Sequence, residues 1–128
     1  MASEKILVVA ALLVVDGKIL LARRRPGKSL AGFWEFPGGK IENGESPEEA
    51  LERELREEFS IETRTGKLLG TNRHHYPDFQ IELSAYWSEL LSGEFRLTDH
   101  DEVRWVAPQE LSQFRLAPAD VPFVAMIG

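Results

Sequence analysis

Between residues 5 and 15 the chain is almost unbroken in β-branched and aliphatic side chains; Asp16-Gly17 interrupts it, and an apolar stretch resumes from Lys18 to Arg24. Two apolar runs joined by a two-residue Asp-Gly turn predict a β-hairpin. Arg25 to Leu30 (R-P-G-K-S-L) has turn chemistry, and Trp34-Glu35-Phe36-Pro37-Gly38-Gly39 predicts one short strand halted by proline and glycines. After a loop to Glu45, a helix is predicted over 47–59. Ser46 is its N-cap, Pro47 suits the first helical position, and Glu49 completes a capping box. Ala50, Leu51, Leu55 and Phe59 supply the helix's apolar positions. Residues 62–74 and 79–91 read as strands around Tyr76-Pro77-Asp78, residues 102–107 as another strand, and 108–114 and 119–126 as short helical pieces. No repeat, linker or low-complexity tract interrupts this order.

With 128 residues, 43% of them hydrophobic and 28% charged, the chain is expected to form a single domain over 1–128. It has no cysteine and three scattered histidines, which leaves oxygen as the main donor for any metal. The longest apolar run, Ile6 to Val15, is ten residues, too short to cross a bilayer, and the segment before it lacks the basic start of a signal peptide. A cytoplasmic protein without a membrane partner is the expectation. Fifteen basic against 21 acidic residues give a net charge of −6, which disfavours a nucleic-acid polymer as partner and leaves a small phosphate ligand open. Monomer and homodimer are both compatible with this composition.

Glu54, Glu57 and Glu58 fall at i, i+3 and i+4, so three carboxylates share one helical face. In an isolated helix each such like-charge pair costs a few tenths of a kcal/mol, roughly 0.2–0.5, unless a cation or an arginine neutralises it. Taken alone, a Glu-rich helix is an ordinary solvated face. As a metal site it would suit Mg²⁺ or Mn²⁺, which combine a few carboxylates with water and substrate phosphate. The implied substrate is a polyphosphate.

Gly39, Glu45, Arg53, Glu54, Leu55, Glu57, Glu58 and Ile61 stand in the pattern G-x5-E-x7-R-E-U-x-E-E-x-G-U, where U is a bulky aliphatic; this resembles the Nudix box. Eight of its nine specified positions match over 23 residues, far more specific than a lone glycine-rich loop. The departure is Ser60, where the box has glycine for a left-handed C-cap. A serine in that conformation costs roughly 1–2 kcal/mol. The alternatives are a helix that ends one residue later, or another cap.

The resemblance implies an α/β/α Nudix sandwich with a mixed sheet between helices. It also implies Mg²⁺-dependent hydrolysis of nucleoside triphosphates to monophosphate and pyrophosphate, as in MutT-type members. Carried over residue by residue, Glu57 and Glu58 are metal ligands, Glu54 is a ligand or the general base, and Glu45 is a supporting carboxylate. The Gly39 carbonyl is an extra ligand. Asp99, with Glu102 next, is the candidate for the carboxylate the family often draws from the loop before Trp105, against the equal reading of a solvated acidic loop. Arg53 is expected to pair with a box carboxylate and orient it, against the plainer reading of an exposed partner for Glu49 or Glu57. Arg24 matches a position that holds the nucleotide, and alternation turns Arg23 and Arg25 away from it if the strand continues, against the plainer reading of a charged strand end.

Resemblance covers the whole chain, including Leu116-Ala117-Pro118-Ala119-Asp120-Val121-Pro122, and lies closest to the CTP pyrophosphohydrolase branch. The 8-oxo-dGTP enzymes of the group usually have asparagine at the Asp120 position. An ionised aspartate only accepts hydrogen bonds and so favours an amino donor such as cytosine N4; protonated, it also serves an oxidised purine. Trp34, Phe36, Tyr76 and Phe79 are candidates for stacking on the base, against core packing as their plainer fate. Cytidine or modified pyrimidine triphosphates are therefore expected first, then 8-oxo-dGTP. ADP-ribose or a nucleotide sugar is the alternative substrate class, and a non-catalytic nucleotide-binding module the alternative outside enzymes.

Overall fold

A computed structural model describes residues 4–127. The apolar run becomes β1 (Glu4–Val15), and its neighbours explain why it alternates so little. Val9, Ala11 and Leu13 face one layer while Ala10 and Leu12 face the other, and all five are buried. A strand covered on both faces needs apolar side chains at every position.

The hairpin forms as expected, with Val14 opposite Ile19 of β2 (Lys18–Arg24). A correction concerns residues 34–39, which form two strands, β3 (Trp34–Glu35) on β2 and β4 (Gly38–Lys40) on β1, and not one. The break falls at Phe36-Pro37. Pro37 has no N–H to continue a ladder, its carbonyl accepts from Ala11 N at 2.7 Å, and Phe36 N turns instead to the Asp120 carboxylate at 3.1 Å. Because β1 pairs with β2 only at its far end and with β4 in its first half, the two neighbours diverge and open a cleft between them.

β5 (Ile61–His75) and β6 (Phe79–Gly93) form a long antiparallel hairpin, and β6 runs parallel to β1 from Phe79 opposite Glu4 to Glu89 opposite Val14. β7 (His100–Val106) pairs with β2 and completes a mixed seven-stranded sheet. Helix α1 (Pro47–Phe59) lays Ala50, Leu51, Leu55 and Phe59 on one face of the sheet; a 3-10 helix (Pro108–Gln113) and α2 (Val121–Ile127) cover the other through Leu111 and Phe123. The α/β/α layering read from the sequence is the observed one.

Both ends of α1 are set locally. Ser46 accepts from Glu49 N at 3.1 Å and the Glu49 carboxylate accepts from Ser46 N at 2.9 Å, so the capping box is complete. At the other end Ser60 takes the left-handed conformation itself (φ 59°, ψ 36°) and donates to the Arg56 carbonyl at 3.1 Å. The alternatives of a longer helix or a different cap do not hold.

Candidate functional site

Leu51 and Leu55 anchor α1 to the sheet; Glu54 lies against Gly39 of β4, Glu58 lies near Asp99 of the loop before β7, and Glu57, 61% exposed, is held by Arg53. Arg53 gathers this side. Its Nε and Nη2 donate to the two oxygens of Glu45 at 2.6 and 3.0 Å, its Nη1 donates to Glu54 at 3.0 Å and Glu57 at 3.2 Å, and Nη2 also reaches the Lys40 carbonyl at 3.0 Å. The fork on Glu45 is bidentate, the strong geometry for a guanidinium and a carboxylate. It holds the Glu45 carboxyl below the usual range, with the Glu42 backbone adding to the effect. Of the plainer partners considered for Arg53, Glu49 is taken by Ser46 and Glu57 is one contact among several.

Glu54 and Glu58 are different. Burial raises the Glu54 carboxyl despite Arg53. Glu58 is pushed up to about 9, by burial first and then by the charges of Glu54, Asp99 and Glu35. Its Oε2 is buried without a hydrogen-bond partner among the described residues. Gly39 lies directly opposite Glu54: a Cβ there would fall 2.3 Å from the Glu54 carboxyl carbon and 2.5 and 2.7 Å from its oxygens. Crowded carboxylates, an unpartnered buried oxygen and a backbone cleared of side chain fit a hard divalent cation. Among the described residues no three acidic or histidine side chains are already closed into a cage. Magnesium does not require one, since it usually keeps several waters and substrate phosphates in its shell.

The Asp99 charge acts on Glu58, and its carboxylate is paired with Lys28 at 3.2 Å. Glu102 points elsewhere, to Arg23 at 3.4 Å and to Arg104. Arg23 also holds Asp101 at 2.8 Å, and Arg25, just past the end of β2, donates to the His100 carbonyl at 3.1 Å, so neither shares the Glu35 contact of Arg24.

On the other side of β4 the diverging strands enclose a cleft of about 270 Å³, lined by Arg24, Glu35, Phe36, Gly39, Tyr76 and Asp120 among others. Arg24 donates to Glu35 at 3.1 Å and to the Ser29 carbonyl at 2.6 Å. Asp120 is 5% exposed, and its carboxyl is raised well above the ordinary range by burial and then by the Glu35 charge. Two stacking candidates are corrected. Trp34 lies outside the cleft, edge-on to Phe114 at 5.3 Å and inside the core, because its backbone bonds to Arg115 and Ala117 draw it under the C-terminal segment. Phe79 also lies outside the cleft lining and stacks on Tyr76 at 5.0 Å, so it supports that ring.

Sequence reasoning passed over Glu35 and His100 as site residues. Glu35 receives Arg24 and, at 2.7 Å, His100 Nε2. The available signal was an acidic residue inside an otherwise apolar strand.

A family model described as NUDIX domain matches residues 8–126. The chain is 42% identical over 117 residues to the CTP pyrophosphohydrolase of Escherichia coli (strain K12), covering 91% of this chain and 87% of that one. It is 43% identical over 88 residues to the 8-oxo-dGTP diphosphatase of Proteus vulgaris, covering 67% and 79%. The solution structure of the E. coli ORF135 protein superposes with a TM-score of 0.85 at 39% identity over 98% of this chain and 89% of that one. A MutT Nudix hydrolase from Burkholderia pseudomallei does so with 0.86 at 29% identity, over 98% and 100%. The chain belongs to the Nudix hydrolase family, whose members use divalent metals. Within that family it is similar to nucleotide pyrophosphohydrolases of MutT type. Among the described residues no helix is long and apolar enough to cross a membrane.

Proposed function

We propose that this protein hydrolyses nucleoside triphosphates to monophosphate and pyrophosphate with Mg²⁺, Mn²⁺ substituting, and that it prefers cytidine or modified pyrimidine nucleotides. The observation that carries the reading is the double role of Gly39, which lines the cleft and leaves room for the Glu54 carboxylate. A base seated against Asp120 thus lies one strand away from the acidic face of α1.

Glu54, Glu57 and Glu58, with Asp99 and the Gly39 carbonyl, would hold the metal, and Glu54 is either ligand or base. Asp99 is preferred to Glu102 because Glu102 is engaged by two arginines. A bound divalent ion supplies a water of lowered pKa and neutralises charge on phosphoryl oxygens. Arg53 fixes Glu45 and Glu54, so the donors need little rearrangement. Arg24 presents a planar guanidinium suited to phosphate or to a base edge.

Asp120 carries the base preference. Its Oδ2 already accepts from Phe36 N at 3.1 Å, which fixes the carboxyl plane. In either protonation state it accepts from an exocyclic amino group such as cytosine N4; protonated, it also donates to the neighbouring ring nitrogen. The 42% identity to a CTP pyrophosphohydrolase supports cytosine. The raised carboxyl of Asp120 favours a second reading, 8-oxo-dGTP, whose oxidised purine also offers a donor beside an acceptor. Tyr76, backed by Phe79, offers a face for stacking in either case.

This reading describes a cytoplasmic enzyme of the free nucleotide pool, without nucleic-acid polymer or membrane partners, active as monomer or homodimer. Retention of a crowded carboxylate cluster weighs against a pure binding module. The test is release of pyrophosphate or phosphate from CTP, dCTP, 5-methyl-dCTP, 8-oxo-dGTP and ADP-ribose with and without Mg²⁺. Magnesium-dependent pyrophosphate from cytidine nucleotides is expected. Turnover of ADP-ribose alone, or of nothing, would overturn the proposal, and preference for 8-oxo-dGTP would overturn its base assignment.

A further inference from the structure

His100 is 1% exposed, yet it belongs to neither the carboxylate cluster nor the cleft lining. Its ring stacks on Phe59, the last residue of α1, with centroids 5.0 Å apart and planes 22° from parallel. Nε2 lies 2.7 Å from Glu35 Oε2, the same oxygen that accepts from Arg24 Nη1 at 3.1 Å. Nδ1 is buried with no hydrogen-bond partner among the described residues. A carboxylate only accepts, so Nε2 carries the proton and donates to Glu35. A buried imidazole that leaves one nitrogen unsatisfied is held there by its other bond and by the stack.

The backbone beside it is fixed independently. Arg25 N donates to the Asp99 carbonyl at 3.2 Å, and Arg25 Nη2 to the His100 carbonyl at 3.1 Å. Asp99 therefore does not depend on the imidazole for its place, whereas the Glu35 carboxylate is held between the imidazole and Arg24. We propose that His100 is a positioning residue: by donating to Glu35 while stacked on α1, it sets the Glu35–Arg24 pair in the nucleotide cleft in register with the metal-binding helix. The proposal rests on the reading of that cleft as the nucleotide site.

His100→Phe keeps the stack and removes the donor, while His100→Gln places an amide N–H near the position of Nε2. With CTP and Mg²⁺, His100→Phe is expected to raise KM about tenfold or more, the range for losing a hydrogen bond to a charged group, with kcat much less affected. His100→Gln should recover most of the loss. In a Glu35→Ala background, adding His100→Phe should change KM less than about twofold, because removing the acceptor and removing the donor cut the same link. A loss confined to kcat, failure of His100→Gln to recover KM while folded, or additive effects would overturn the proposal. A readout without nucleotide or metal separates its failure from that of the substrate reading. ¹⁵N spectra of the histidines should show His100 protonated at Nε2 with a resonance that moves in Glu35→Gln; a proton on Nδ1 overturns the proposal whatever the substrate is.

Discussion

Gly39 and Glu54 share a space that holds only one side chain: a Cβ on residue 39 would sit 2.3 Å from the carboxyl carbon of Glu54. The glycine is not there for its backbone freedom, since it lies in the regular strand β4 opposite Val9. It is there because the carboxylate is.

Gly39→Ala should therefore displace Glu54 and break its 3.0 Å bond to Arg53 without unfolding the sheet. Overpacking of this kind costs about 1–3 kcal/mol. Turnover should fall by more than the loss of stability explains, on the order of a hundredfold if a metal donor moves. Steady-state kinetics beside a thermal melt check it; an active Gly39→Ala enzyme with normal magnesium dependence would count against Glu54 as part of the metal site.

Glu58 makes the metal-free protein sensitive to pH. Its carboxyl is raised from an ordinary 4.5 to about 9 in the folded chain. The folded state thus binds the proton more tightly than the unfolded one, so stability from this group is fully present below 4.5 and is lost as pH rises towards 9. A divalent cation replaces that proton, which makes metal binding proton-releasing and tighter at higher pH. Melts in a chelator should show Tm falling between pH 6 and 9, Mg²⁺ should restore it most at the alkaline end, and Glu58→Gln should flatten the metal-free profile. A chelated wild type whose Tm profile matches that of Glu58→Gln would refute this account.

Ser60 pays for a left-handed residue with a Cβ, and the surrounding structure enforces it: Phe59 and Ile61 on either side are fully buried. Ser60→Gly should stabilise the protein by about 1 kcal/mol, offset in part by the greater entropy of glycine in the unfolded chain. The Tm should rise by about 2–5 °C with kcat unchanged. A lower Tm would mean that the serine makes a compensating contact.

What was legible from the sequence was local. The capping box, the Asp-Gly hairpin and the carboxylate spacing on α1 each lie within a few residues, where backbone rules decide the outcome. The halt at Pro37 was legible, but the resumption of pairing by Gly38–Lys40 was not, because it depends on β1, some thirty positions upstream, offering Val8 to Ala10 as partners. His100 and Glu35 are 65 positions apart, and nothing near either announces the other. Trp34 and Phe79 were misjudged for a related reason: an aromatic ring beside a cleft and one in the core beneath it have the same sequence signature. Which rings line the opening is set by distant pairings, of β1 with β6 and of Trp34 with Arg115 and Ala117.

Asp120 tests both the cleft and the base assignment. Its buried carboxyl is raised well above the ordinary range, so ionisation is opposed by the fold, and the stability this group contributes is lost as pH rises through its folded value. Asp120→Asn removes the titration and can still accept from Phe36 N. The variant should gain stability relative to the parent as pH increases. With its carbonyl oxygen held by Phe36 N, the amide turns its NH2 towards the cleft and offers donors where cytosine N4 needs an acceptor. Cytidine triphosphate turnover should drop by about tenfold or more, and the ratio of 8-oxo-dGTP to CTP turnover should move towards the purine. Competition between the two nucleotides for parent and variant measures that ratio directly. An unchanged ratio would remove Asp120 from base recognition and leave it as a buried bracket for Phe36.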